Sequence, residues 1–117
     1  MRRVIIGLAA LASLGAAHGA LAQPAQIDRG KAVFQHSCVW CHAAIQGRDT
    51  VPAGTVGLSE KYNGSKPAVL EQRTDLTPEF VAYVVRHGVR SMPPFRPSEI
   101  DRSDLAALAA YLSQPKK

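Results

Sequence analysis

Both cysteines of the chain fall within five residues, Cys38-Val39-Trp40-Cys41-His42. Two thiols three positions apart on one turn can add across the two vinyl groups along a haem edge, giving two thioethers. The next residue, His42, then projects under the iron as a nitrogen ligand. This spacing is the c-type haem attachment pattern. Covalent tethering makes the nitrogen ligand effectively intramolecular, so the group survives export and dilution. Two other uses of the same residues stand beside it. A structural disulfide or a redox dithiol is open to an exported chain, although a thioredoxin-like use needs a βαβ context that the sequence pattern lacks. A zinc site wants four Cys or His ligands, and no second pair has the spacing.

A haem iron also has a sixth position. The one methionine besides the start, Met92, lies fifty residues after His42 in Ser91-Met92-Pro93-Pro94-Phe95. The two prolines have fixed φ angles and cannot extend a preceding helix, so they stiffen the loop that presents the thioether. Methionine opposite histidine raises the reduction potential and suits electron transfer. The plain alternative is a core gap-filler. Among rival ligands, His36 is too close to Cys38 to cross the ring plane. His87 closes a helix, where its partial charge meets the dipole. Pro52, ten residues after His42, can offer its carbonyl to the other nitrogen of His42, a bond that orients the ring and raises ligand basicity. An ordinary turn proline is the other reading. Arg86, Arg90 and Arg96 can steer an acidic partner or fork onto a haem propionate, and Arg90 is the candidate for the cofactor contact.

The elements that must position these residues read as helices. Ile27, Gly30, Phe34 and Cys38 form one stripe at spacings of three and four, with Asp28 as the expected cap. Glycine inside a helix costs roughly 1 kcal/mol against alanine. A close crossing under Tyr111, beside Phe34, would account for Gly30, as would a frayed first turn. Residues 43–75 are rich in Gly, Pro, Ser and Thr and read as a long loop with single turns at Leu58–Tyr62 and Pro67–Gln72. A loop this long in a small domain is expected to wrap something. Thr77-Pro78-Glu79 starts a helix that Gly88 stops. Asp101 caps the last helix, Asp104 stands where a capping box needs an acid, and Ile100 and Leu105 form a hydrophobic staple. Leu105, Leu108 and Leu112 are its apolar face. The expected fold is all-α: three main helices with short extra turns and little or no sheet.

At 117 residues the chain is one domain, and a multidomain enzyme is excluded. Met1-Arg2-Arg3, the uncharged apolar run from Val4 to Ala17 and Ala20-Leu21-Ala22 predict a secretory signal peptide over residues 1–22. The run is shorter than the roughly 20 residues a span needs, and an uncleaved anchor is the alternative. Cleavage after Ala22 leaves residues 23–117 as the domain and lowers the formal charge from +5 to +3 by removing Arg2 and Arg3. The remaining basic residues are scattered among acids, which excludes a nucleic-acid footprint. A domain of this size benefits from a staple such as a cofactor.

Gly30-x-x-x-Phe34, Cys38-x-x-Cys41-His42, the Met92-Pro93 loop and the Leu-Ala-Ala-Tyr-Leu helix ending at Leu112 together resemble a class I cytochrome c over essentially the whole mature chain. The resemblance implies a small cytochrome c fold wrapped around one covalently bound haem c. It makes Cys38 and Cys41 the thioether residues, and His42 and Met92 the iron ligands. The stretch from Tyr83 to Phe95 resembles, more narrowly, the small cytochrome subunit of p-cresol methylhydroxylase-type flavoenzymes. Thr55 to Asp75 departs from that subunit by looking longer than its equivalent loop. The resemblance implies an electron carrier, not an enzyme, in the periplasm with no membrane span after cleavage. Its partners would be redox proteins: a dehydrogenase, such as a flavoprotein oxidising 4-alkylphenols or aromatic alcohols, and a respiratory acceptor. The chain supplies insulation, potential and a docking face, with Val39, Trp40, Ala43, Ala44 and Ile45 beside Pro93, Pro94 and Phe95 as an apolar contact patch. The alternatives are a haem-based sensor or enzyme that releases Met92, and a haem-free dithiol protein.

Overall fold

The computed structural model describes residues 17–45, 47 and 52–116. Residues 1–16, the greater part of the expected leader, lie outside them. Five α-helices follow in order: α1 Ala17–Ser37, α2 Val39–His42, α3 Ala53–Tyr62, α4 Pro78–His87 and α5 Arg102–Ser113. A 3-10 turn at Leu70–Gln72 lies between α3 and α4. The described residues hold no strand, only an isolated bridge between Val89 and Met92. The all-helical expectation therefore holds.

The frame is the pairing of α1 with α5. Gly30 permits it: a Cβ there would lie 2.1 Å from the Ala107 carbonyl oxygen and 2.7 Å from Tyr111 Cβ. No side chain fits such a crossing. Tyr111 lies over this point beside Phe34, ring centroids 6.0 Å apart, so the crossing, not fraying, explains the glycine. Phe34, Leu76, Val81, Val85, Ile100, Leu105, Leu108 and Leu112 form the core around it. Removing such side chains from water is the dominant favourable contribution to folding. Arg29 Nε donates to Asp104 Oδ1 at 2.7 Å across the same two helices.

Local signals set three of the helix ends as expected. Thr77 Oγ1 accepts from Phe80 N–H at 3.2 Å, with Pro78 at the first helical position. Gly88 ends α4 with φ +70°, in the left-handed region that glycine reaches freely. Asp101 Oδ1 caps α5 by accepting from Asp104 N–H at 2.8 Å. The expected capping box is only half made, because the Asp104 carboxylate turns to Arg29 instead. Two other expectations are corrected. Asp28 does not start α1, which is already helical at Ala17, the first described residue, and runs through it. The single turn expected at Leu58–Tyr62 is the end of a full helix from Ala53.

The segment after α3 is fastened rather than loose. Arg73 is buried, at 4% exposure, and forks onto Asp75 through Nε at 2.5 Å and Nη2 at 2.7 Å. Its guanidinium also lies 4.7 Å from the centre of the Tyr62 ring. Lys66 Nζ meets the same carboxylate at 2.6 Å. Together they hold the Asp75 carboxyl well below the ordinary carboxylate range. The 3-10 turn is tied to the last helix by Tyr111, whose hydroxyl donates to the Glu71 carboxylate.

Candidate functional site

Helix α2 is a single turn built on the two cysteines. The N–H groups of Cys41 and His42 both donate to the Cys38 carbonyl, at 3.2 and 3.0 Å. That bonding places the two thiols on the same turn, followed directly by the imidazole. Both cysteines are free, Cys38 half-buried and Cys41 exposed. Burial pushes the Cys38 thiol up to about 11. His42 is shielded, and desolvation holds its imidazole below the ordinary value, in the neutral form that ligates a metal.

The shield is the start of α3. A Cβ on Gly54 would fall 2.6 Å from both the Cys41 carbonyl oxygen and His42 Cε1, and 2.9 Å from His42 Nδ1. The backbone of Gly54 therefore lies directly on the ring. Next to it, Thr55 is 2% exposed, and its hydroxyl donates to the Ala43 carbonyl at 2.7 Å. These two contacts clamp the stretch of chain that leaves His42. Pro52 is buried just before them as the N-cap of α3. Its carbonyl accepts from Val56 N–H at 3.0 Å. His42 Nδ1 is buried with no hydrogen-bond partner, so the bond expected between it and Pro52 is not among those of the described residues.

Met92 is half-buried and packs against the edge of the core, as do Cys38 and Val39. It closes a tight turn: Val89 N–H donates to the Met92 carbonyl at 3.1 Å and Met92 N–H to the Val89 carbonyl at 2.9 Å. Gly88 is required here too, since a Cβ would lie 2.5 Å from the Met92 carbonyl oxygen.

The three candidate arginines have separate fates. Arg86 donates to the carbonyls of Phe95, Ile100 and Asp101 at 3.0, 2.7 and 3.4 Å. It is therefore engaged by the backbone and not turned to an acidic partner. Arg96 pairs with Glu99 at 3.3 Å. Arg90 is exposed within the Met92 turn at φ +52°, with no hydrogen bond or ion pair among the described residues. His87 stacks on Tyr83 with ring centroids 4.2 Å apart. Its Nδ1 lies 2.8 Å from the Tyr83 carbonyl, which fits the helix-closing role.

Sequence reasoning missed Gly54 and Thr55, read as loop residues, and the backbone bonds of Arg86. The only available signal was the pairing of a glycine with a hydroxyl residue shortly after Pro52.

Residues that fit a tethered haem are thus all present: two free thiols on one turn, a neutral shielded imidazole after them, and a thioether held in a closed turn at the edge of the same core. The backbone of Gly54 packs directly on the His42 ring, and the buried Nδ1 has no hydrogen-bond partner among the described residues. The class defined in this way is that of the class I c-type cytochromes. Residues 25–112 match the family described as cytochrome c oxidase, cbb3-type, subunit III, and the chain belongs to that family. It is 30% identical over 90 residues to cytochrome c6 of Chlorolobion braunii, covering 75% of this chain and 89% of the relative. It is 25% identical over 104 residues to cytochrome c2 of Rhodopila globiformis, covering 81% and 98%. No solved structure matches. The protein is a monohaem electron-transfer cytochrome carrying haem c and its iron, an electron carrier and not an enzyme. Among the described residues no helix is long and apolar enough to cross a membrane.

Proposed function

We propose that this cytochrome is an exported periplasmic carrier with His42 and Met92 as iron ligands. In this reading residues 1–22 are a cleaved leader and residues 23–117 the working domain. It takes electrons from a dehydrogenase and passes them to a respiratory acceptor. The observation that carries the reading is the shielded imidazole of His42, which follows two free thiols on one turn and is neutralised by desolvation. Haem supplies the one-electron redox step when bound. The chain does the rest. Cys38 and Cys41 hold the group, and Gly54 and Thr55 fix the His42 ring. Pro52 is the acceptor proposed for Nδ1–H, since its carbonyl has a second lone pair beside the one given to Val56. Arg90, without another partner among the described residues, is the side chain for a propionate.

The family description, an oxidase subunit, supports a respiratory acceptor. On the donor side, the likeness of Tyr83–Phe95 to the cytochrome subunit of p-cresol methylhydroxylase-type enzymes supports a flavoprotein oxidising 4-alkylphenols or aromatic alcohols. Docking falls on the turn that carries the thiols. Trp40 is 80% exposed and Ile45 is 54% exposed, and no residue from Ser37 to Ile45 is Asp, Glu, Lys or Arg.

The test is spectroscopy and mass analysis of protein matured in its native host. One haem on a chain beginning at Gln23, with reduced protein unreactive to carbon monoxide, is expected. Met92→Ala should open the iron to carbon monoxide and lower the reduction potential. An unchanged spectrum in that variant removes Met92 from its role. A colourless product with a reducible Cys38–Cys41 bond replaces the reading with a dithiol protein.

A further inference from the structure

We propose that Arg86 is a positioning residue that holds Met92 in place for ligation, acting through the backbone of the loop that follows it. The inference rests on the His42/Met92 reading above. Residues 89–100 leave α4 and return to α5, and their construction poses a problem. Pro93, Pro94 and Pro97 have no N–H, and the loop's own backbone bonds are confined to the Val89–Met92 turn and to the Arg96 carbonyl, which accepts from Glu99 and Ile100. Arg86 makes up the missing donors. Standing on the last turn of α4, it gives Nη1 to the Phe95 carbonyl at 3.0 Å, and Nη2 to the carbonyls of Ile100 and, at 3.4 Å, Asp101. The stronger Nη2 bond, to Ile100, is 2.7 Å long. Phe95 N–H completes the closure by donating to the Val85 carbonyl at 2.8 Å.

Met92 is therefore anchored on both sides. Before it, the Val89–Met92 turn rests on Gly88. After it, the chain is fastened to Val85 and Arg86, one helical turn away. The guanidinium makes no ion pair among the described residues, so its fork is spent wholly on neutral carbonyls. A charged donor strengthens such bonds beyond those between neutral groups. Lysine keeps the charge but cannot reach three carbonyls from one planar fork. Glutamine keeps a single amide and loses the charge. Either change leaves the Met92 turn intact and frees the segment behind it. The thioether then leaves its position more often, and an external nitrogen ligand competes with it more successfully.

The experiment measures imidazole binding to the oxidised holoprotein of the wild type, Arg86→Lys, Arg86→Gln and Met92→Ala, and of each arginine variant combined with Met92→Ala. The absorption band of methionine-ligated ferric haem is followed in parallel. Two arginine variants are used so that poor folding of one does not end the test. Imidazole affinity should rise about tenfold or more in both arginine variants, where tenfold corresponds to about 1.4 kcal/mol of local opening. In the Met92→Ala background the arginine substitutions should add nothing, since the competing thioether is gone. A merely structural arginine would lower the denaturation midpoint without this dependence on Met92. Wild-type imidazole affinity in folded arginine variants overturns the proposal, and so does an equal rise in the Met92→Ala background. If Met92→Ala itself leaves the band unchanged, the His42/Met92 reading fails, and the proposal with it.

Discussion

Alanine substitution at the two glycines of α3 separates the role of Gly54 from simple helix propensity. Gly57, in the middle of the helix, is open: a Cβ added there would have no heavy atom within 4 Å. Gly57→Ala should therefore gain the helix preference of alanine, up to about 1 kcal/mol. Gly54 is the second residue of the same helix, and its added Cβ would meet the Cys41 carbonyl and His42 Cε1 at 2.6 Å. One neighbour is backbone and the other is a ring packed in place, so neither yields cheaply. Overpacking of this kind costs about 1–3 kcal/mol. The two variants should move in opposite directions from wild type and differ by about 1–4 kcal/mol. For a domain of this size about 1 kcal/mol moves Tm by roughly 4–8 °C. Thermal unfolding of the holoprotein should then separate them by at least roughly 4 °C, with Gly54→Ala the lower. Optical spectra of Gly54→Ala should also shift as the His42 ring is displaced, whereas those of Gly57→Ala should match wild type. A Gly54→Ala protein as stable as Gly57→Ala, with an unaltered spectrum, would refute the claim that α3 seats the ring.

Thr55→Val keeps the shape of the buried side chain but leaves the Ala43 carbonyl without its donor. It should cost about 1–3 kcal/mol by urea denaturation, with Thr55→Ser recovering most of the loss. The Asp75 carboxyl is depressed in the folded protein by Arg73 and then Lys66, so its contribution is present above the unfolded value near ~3.9 and is lost as pH falls below it. Stability measured from pH 6 to pH 2 should fall less steeply in Asp75→Asn than in wild type; parallel curves would show that the Arg73 fork does not report on folding. Trp40→Ala removes an exposed side chain and should change stability by no more than about 0.5 kcal/mol. It should slow electron transfer with the native donor severalfold, with a weak dependence on ionic strength because the surrounding turn is uncharged. Unchanged transfer rates in that variant would move the docking face elsewhere.

What was legible in the sequence was local. Cys38, Cys41 and His42 declare their chemistry by spacing, and Thr77-Pro78, Gly88 and Asp101 mark helix ends through bonds made within a few residues. Gly30 could be paired with Tyr111 because a costly helix glycine demands a close neighbour, and the Ala107 backbone is that neighbour. The failures have a common cause. α3 contains Gly54 and Gly57 and follows Pro52, all of which read as breakers, yet Gly54 is helical because the helix needs a bare backbone against His42. Arg86 reads as a surface charge, since nothing local shows that prolines downstream will leave carbonyls in want of a donor. Asp104 fits a capping box until Arg29, seventy-five residues earlier, takes its carboxylate.

The clasp between α1 and α5 also orders events in time. During synthesis the Cys38–His42 turn emerges well before Ala107 and Tyr111, the surfaces on which Gly30 and Phe34 must close. Until that late partner arrives, the first helix has nothing to lie against, and the thiols beside it stay approachable. Closure therefore falls to the final stretch of the nascent polypeptide, and a chain cut short before Ala107 would remain ajar at the place where its pigment belongs.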